Sequence, residues 1–185
     1  MKKITFAAAA AALAVALPGV AQAQESAPAA TPYVGVQVGL HNLGLDEDDY
    51  AAVTGLELDD SALIYGVYGG VDFGVAPNVV LGVEGNFNLG NGPIDNEYGI
   101  AARVGYRADN GSVFYVRGGY QWVDFDLEGL TGVSPVPAGI DDDAGDYLVG
   151  VGADIATGSR ARVRLGVDTI AFDTIRPTVG VHFAF

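Results

Sequence analysis

The 185-residue chain contains no cysteine. Disulfides, thiolate nucleophiles and cysteine-ligated metals are therefore excluded, and so is a lipid-modified lipoprotein cysteine. Lysine is confined to Lys2 and Lys3, histidine to His41 and His182, and methionine and tryptophan to one residue each. Beyond the N-terminal stretch no apolar run approaches the roughly 18 residues that a membrane-spanning helix needs. A chain of this length is read as one domain.

Residues 1–23 read as a secretory signal peptide. Met1-Lys2-Lys3 is the positive n-region, Ile4 to Leu17 the apolar h-region, and Ala21-Gln22-Ala23 the small-residue cleavage site. The apolar run is too short to serve as a membrane anchor. Cleavage after Ala23 removes both lysines. The remaining seven arginines stand against 23 acidic residues, a net charge of −16. That balance argues against nucleic acid or anionic phosphate as a partner.

Residues 24–31 form a short flexible lead-in, and residues 32–185 a single barrel domain. Within it apolar residues recur with period two, and no helical periodicity competes. Eight runs stand out, centred on Val34–Leu40, Leu63–Phe73, Leu81–Leu89, Tyr98–Tyr106, Phe114–Trp122, Tyr147–Ile155, Ala161–Val167 and Val179–Phe185. The alternate positions carry mostly Gly, with isolated Arg, acidic and amide residues. Each run is close to the ~9–11 residues of a tilted membrane strand. Short connections, Gly74–Asn78, Ala108–Gly111 and Thr157–Ser159, carry Pro-Asn, Asp-Asn-Gly and Gly-Ser turn chemistry. They alternate with longer ones, Asn42–Ser61, Gly90–Asn96 and Asp124–Gly145, and a shorter Thr169–Asp173. The pattern predicts an all-β, closed, antiparallel, up-and-down eight-stranded transmembrane barrel with both termini periplasmic.

A soluble barrel also alternates, with its apolar residues inside. Three features favour the membrane form. The polar face is too rich in Gly and too poor in Lys for a solvated exterior, but it suits a narrow lumen. Folding the hairpins about their turns brings Glu84, Arg103, Arg117, Asp154 and Arg162 to one level, in that order of neighbours. They make a candidate interior charge layer, tolerable at low dielectric only if paired. Finally, aromatics gather at both sets of strand ends, all expected on the apolar face. Tyr33, Phe73, Tyr106, Phe114 and Phe185 lie at one end; Tyr65, Phe87, Tyr98, Tyr120, Trp122 and Tyr147 lie at the other.

The last strand, Thr178 to Phe185, resembles the C-terminal signature of outer-membrane barrels, which ends in Phe after alternating apolar residues. The resemblance implies that Val181, Phe183 and Phe185 are read by the barrel-assembly machinery. With its leader, the whole chain resembles the small eight-stranded outer-membrane proteins of the opacity/OmpA-like family. OmpA itself continues into a peptidoglycan-binding domain; no such domain follows Phe185, so tethering is not expected here.

Chemistry is sparse. Acyl hydrolysis of lipid A would need a nucleophile, a His and an orienting acid on one surface. Neither His41 nor His182 belongs to a His-x-Ser pair, so both read as polar lumen residues and no catalytic residue or cofactor is assigned. Asp46, Glu47, Asp48, Asp49, Asp141, Asp142 and Asp143 are loop carboxylates that could weakly hold Ca²⁺ or Mg²⁺ against lipopolysaccharide phosphates. They lack the spaced ladder of an EF-hand and read first as solvated acidic loops. Gly-rich segments such as Gly66–Gly70 lie inside strands and open no helix, so they are not phosphate cradles. An eight-stranded lumen is filled by its own side chains, so no large-solute conductance is expected. The expected role is a structural barrel with acidic external loops serving envelope integrity, adhesion or surface recognition. Its partners are outer-membrane lipid, lipopolysaccharide, the assembly machinery and surface or host ligands. The competing readings are a barrel enzyme acting on lipid A, a narrow porin-like channel and a soluble periplasmic carrier.

Overall fold

A computed structural model describes residues 30–42, 61–91, 94–125 and 143–185. Every regular element among them is a strand: β1 Ala30–Asn42, β2 Ser61–Ala76, β3 Val79–Gly90, β4 Ile94–Arg107, β5 Val113–Phe125, β6 Asp143–Ala156, β7 Ala161–Ile170 and β8 Arg176–Ala184. Each pairs antiparallel with its sequence neighbours, and β1 pairs with β8, so the sheet closes. Closure runs from Tyr33 opposite Ala184 to Gly39 opposite Thr178. It leaves no strand edge unpaired, as hydrocarbon requires. Strand lengths run from 9 to 16 residues, enough to cross a bilayer at a tilt.

Three tight turns close one end of the barrel, where β1 also starts and β8 ends; we term it the turn end. Asn78 Nδ2 donates to the Arg107 carbonyl at 2.8 Å, tying the first turn to β4. Gly111, at φ +84°, takes the left-handed conformation that the β4–β5 turn needs. The other end, the loop end, carries the 43–60, 91–93, 126–142 and 171–175 connections. The strands reach further into several connections than turn chemistry suggests. β4 begins at Ile94 behind a bulge, β6 at Asp143, and β1 at Ala30, inside the stretch read as a lead-in.

The apolar face points outward. Ile100 is 61 % exposed and Val36 55 %, while Arg164, Asp154 and Glu97 are fully buried in the lumen. A water-soluble protein of this size does not display a continuous apolar exterior of that kind. At the loop end Tyr98 stacks on Trp122 with ring centroids 5.4 Å apart, Tyr120 lies 4.8 Å from Trp122, and Tyr147 meets Tyr120 edge-on. At the turn end Phe73, Tyr106, Phe114, Phe183 and Phe185 face outward. Tyr33 departs from the expected belt. It shares parity with Gly35 and Gln37, so it points inward and is buried.

Candidate functional site: the charged lumen

Alternation delivers every inward side chain of eight strands into one narrow bore, so chemistry collects there. Arg103 on β4 holds Asp72 on β2 with two parallel bonds, Nε to Oδ1 at 2.8 Å and Nη2 to Oδ2 at 2.6 Å. Its third nitrogen reaches Asp154 at 2.9 Å. Arg164 on β7 donates from Nε to the other oxygen of Asp154 at 2.7 Å, and from Nη1 to Glu84. Glu84 also accepts from Arg117 Nη1 at 2.5 Å and from the Tyr33 hydroxyl at 2.6 Å. Arg117 clasps Asp168 through Nε and Nη2 at 2.8 and 2.6 Å.

Nearer the loop end, Arg176 Nη2 reaches Asp168 at 3.1 Å and Nη1 reaches Glu97 at 2.5 Å. Glu97 further accepts from Asn88 at 2.9 Å and lies 2.7 Å from His41 Nδ1. The result is one continuous network in which Arg103, Arg117, Arg164 and Arg176 meet Asp72, Glu84, Glu97, Asp154 and Asp168. Bidentate guanidinium–carboxylate geometry is the arrangement that offsets desolvation of both partners. Aromatic faces wall it in. The Arg164 guanidinium sits 4.2 Å from the Tyr68 ring centre, and that of Arg103 lies 4.6 Å from Tyr33 and 4.8 Å from Tyr115. His182 Nδ1 lies 3.0 Å from the Tyr68 hydroxyl.

The glycines of the inward face make room for this. A Cβ on Gly150 would stand 2.0 Å from Asp168 Oδ1, and one on Gly82 would stand 2.4 Å from Asp72 Oδ1. Apolar side chains are buried towards both ends of the bore. Ala62, Ile94 and Val123 pack together at the loop end, and Val80 and Val113 are buried at the turn end.

Glu84, Arg103, Arg117 and Asp154 all lie in the network. Arg162 does not, which corrects the layer read from the sequence. Register places Arg162 opposite Ala156 and His182, while Asp154 faces Arg164. Strand stagger shifts the expected partner by one inward position. Arg117, expected beside Asp154, instead pairs with Glu84 and Asp168. Asp72, Arg164 and Asp168 carry the parity signal of the lumen. Glu97 follows Asn91-Gly92-Pro93 by four residues and Arg176 directly precedes Pro177, and these prolines mask strand periodicity.

The loop carboxylates Asp46, Glu47, Asp48, Asp49, Asp141 and Asp142 lie outside the described residues, as does the side chain of Asp143, whose backbone opens β6. Among the described residues no group of three or more metal-ligating side chains is placed to hold an ion. Val181, Phe183 and Phe185 all face outward, Val181 opposite Val36 and Phe183 opposite Val34.

Solved structures similar to this chain include Ail, the attachment invasion locus protein of Yersinia pestis, at 15 % identity and TM-score 0.49, covering 84 % of this chain and 97 % of that one. Neisserial surface protein A matches at 12 % identity and TM-score 0.49, over 84 % and 96 %. OprG from Pseudomonas aeruginosa matches at 12 % and 0.47, over 86 % and 97 %. No curated protein matches the chain in sequence. The family model described as the outer membrane protein beta-barrel domain matches residues 7–184, nearly the whole chain. With eight strands closed around a charged lumen and an apolar exterior, this chain belongs to the outer membrane protein β-barrel domain family.

Proposed function

We propose that the chain is a structural, non-enzymatic component of the outer membrane that conducts no large solute and presents acidic loops at the cell surface. The observation that carries this reading is the lumen. Its ion pairs cross the bore, from β4 to β2 and from β7 to β3, and apolar residues are buried towards either end. A bore filled in this way supports the reading that no sugar or amino acid passes through it.

Orientation follows from family topology, in which short turns face the periplasm and longer loops the outside. Both termini then lie in the periplasm, consistent with export through a signal peptide cleaved after Ala23. The 43–60 and 126–142 connections, which contain Asp46–Asp49 and Asp141–Asp142, open outward. An anionic surface partner such as lipopolysaccharide would meet them through divalent cations, and a host ligand through its own cationic groups. The assembly machinery reads β8 through Val181, Phe183 and Phe185. Against an enzyme acting on lipid A, His41 is engaged with Glu97 and His182 with Tyr68, both inside the bore and away from lipid.

Purified protein in planar bilayers tests the reading. Only baseline current or brief, small events are expected. Stable, large single-channel currents would contradict it. Substituting His41 and profiling lipid A tests the non-enzymatic part: an unchanged acylation pattern is expected, and a changed one would favour the enzyme.

A further inference from the structure

Seven arginines serve this chain, and the lumen network uses four. The remaining three, Arg107, Arg160 and Arg162, all lie at the turn end. Arg107 is the last residue of β4 and shares the inward parity of Arg103. Arg162 is the second residue of β7 and shares the inward parity of Arg164. Both are half-buried at the mouth of the bore, and Arg160 is exposed in the adjoining β6–β7 turn.

Among the described residues none of the three forms an ion pair. Arg107 Nε is buried without a hydrogen-bond partner. Asp72 and Asp154, the lumen carboxylates towards this end, are committed to Arg103 and Arg164. Arg107 opposes the charge on Arg162, while Asp154 and Asp72 favour it without forming an ion pair with it.

Partly desolvated cations that repel one another are unfavourable unless an anion joins them. Guanidinium forks suit a tetrahedral oxyanion, which accepts bonds from several directions, better than a planar carboxylate that one fork can saturate. We propose that Arg107 and Arg162, with Arg160 at the rim, form a binding site for a phosphate group at the turn-end mouth of the lumen. The overall negative charge of the chain does not forbid this. The acidic loops leave the opposite end of a bilayer-spanning barrel, and ionic screening at physiological salt acts over ~8 Å. Two sources could supply the group: soluble phosphate, or the headgroup of an anionic phospholipid in the leaflet around the turn end. The second source rests on the outer-membrane placement; the site itself does not.

The test uses full-length protein refolded in neutral, phosphate-free detergent. Its thermal midpoint is followed as inorganic phosphate replaces chloride at constant ionic strength. A parallel arm compares phosphatidylcholine vesicles with and without phosphatidylglycerol. A saturable rise of several degrees is expected in one arm or both, and absent from the R107Q/R162Q double variant. A rise in the first arm points to soluble phosphate; a rise confined to the vesicle arm points to the lipid headgroup. Should the double variant not fold, R162Q alone should weaken the response about tenfold, the loss of one charge-assisted bond. With phosphate absent, R162Q should leave the midpoint unchanged or raise it, since it relieves repulsion. The proposal is overturned if neither arm responds, if the variants respond like the unmodified chain, or if R162Q lowers the midpoint equally with and without phosphate. None of these outcomes bears on conductance, so this site and the structural reading fail independently.

Discussion

Arg162 and Arg164 stand two residues apart on the inward face of β7, yet only Arg164 is ion-paired. The difference is register. Arg164 faces Asp154 directly and reaches Glu84, so removing it leaves Asp154 to Arg103 alone among the arginines and Glu84 to Arg117 and the Tyr33 hydroxyl, with five buried carboxylates set against three arginines. Arg164→Met is therefore expected to cost about 3–5 kcal/mol, the range for breaking a buried pair, in urea unfolding from lipid vesicles. Arg162→Met should change the same unfolding free energy by less than ~1 kcal/mol. Equal losses would mean that the register is wrong. Arg164→Lys should also lose about 1.5–3 kcal/mol, because one ammonium cannot hold Asp154 with two bonds and reach Glu84 as well. Inward parity alone identified Glu84, Arg103, Arg117 and Asp154 as lumen residues. Which arginine meets which carboxylate was not legible, because stagger between tilted strands moves a partner by two residues without changing its face. The same parity places Tyr33 inside the barrel. Its phenol ends on Glu84, where its position at a strand end suggested a lipid-facing belt.

At the scale of elements, the strands were legible because period two ran unbroken through each of them. The ends of β4 and β8 were not. Pro93 stands directly before β4, which begins at Ile94, and Pro177 lies inside β8, where the ladder continues past it to Arg176 opposite Asp168. The β7–β8 connection is a different case. Ala171 and Phe172 sit at φ 55° and 68°, a pair of left-handed residues of the kind a tight primed hairpin turn demands, and Asp173 N donates to the Ile170 carbonyl at 3.3 Å. Neither Ala nor Phe favours that region. Changing the pair to Asn-Gly should raise the unfolding free energy by about 1 kcal/mol, and a lowered value would show that Phe172 makes a contact outweighing its strain. On β8, deleting Phe185 is expected to reduce assembled, heat-modifiable protein in cells several-fold while purified chains still refold in detergent. Equal loss in both settings would make the terminal phenylalanine a stability residue rather than an assembly signal.

At the scale of the whole molecule, two opposite demands meet in one sheet. The exterior must be apolar so that lipid solvates it, and the interior must hold charge without solvent. Period-two alternation satisfies both with one sequence pattern, provided the valines and aromatics face outward. The absence of cysteine allows this to be measured without background. Single cysteines placed in turn at Ile100, Ala101, Ala102, Arg103 and Val104 of β4 can carry an environment-sensitive fluorophore in refolded, vesicle-inserted protein, with quenching by brominated lipid read at each position. The account predicts strong quenching at 100, 102 and 104 and weak quenching at 101 and 103. Inverted alternation, or quenching that ignores parity, would contradict it.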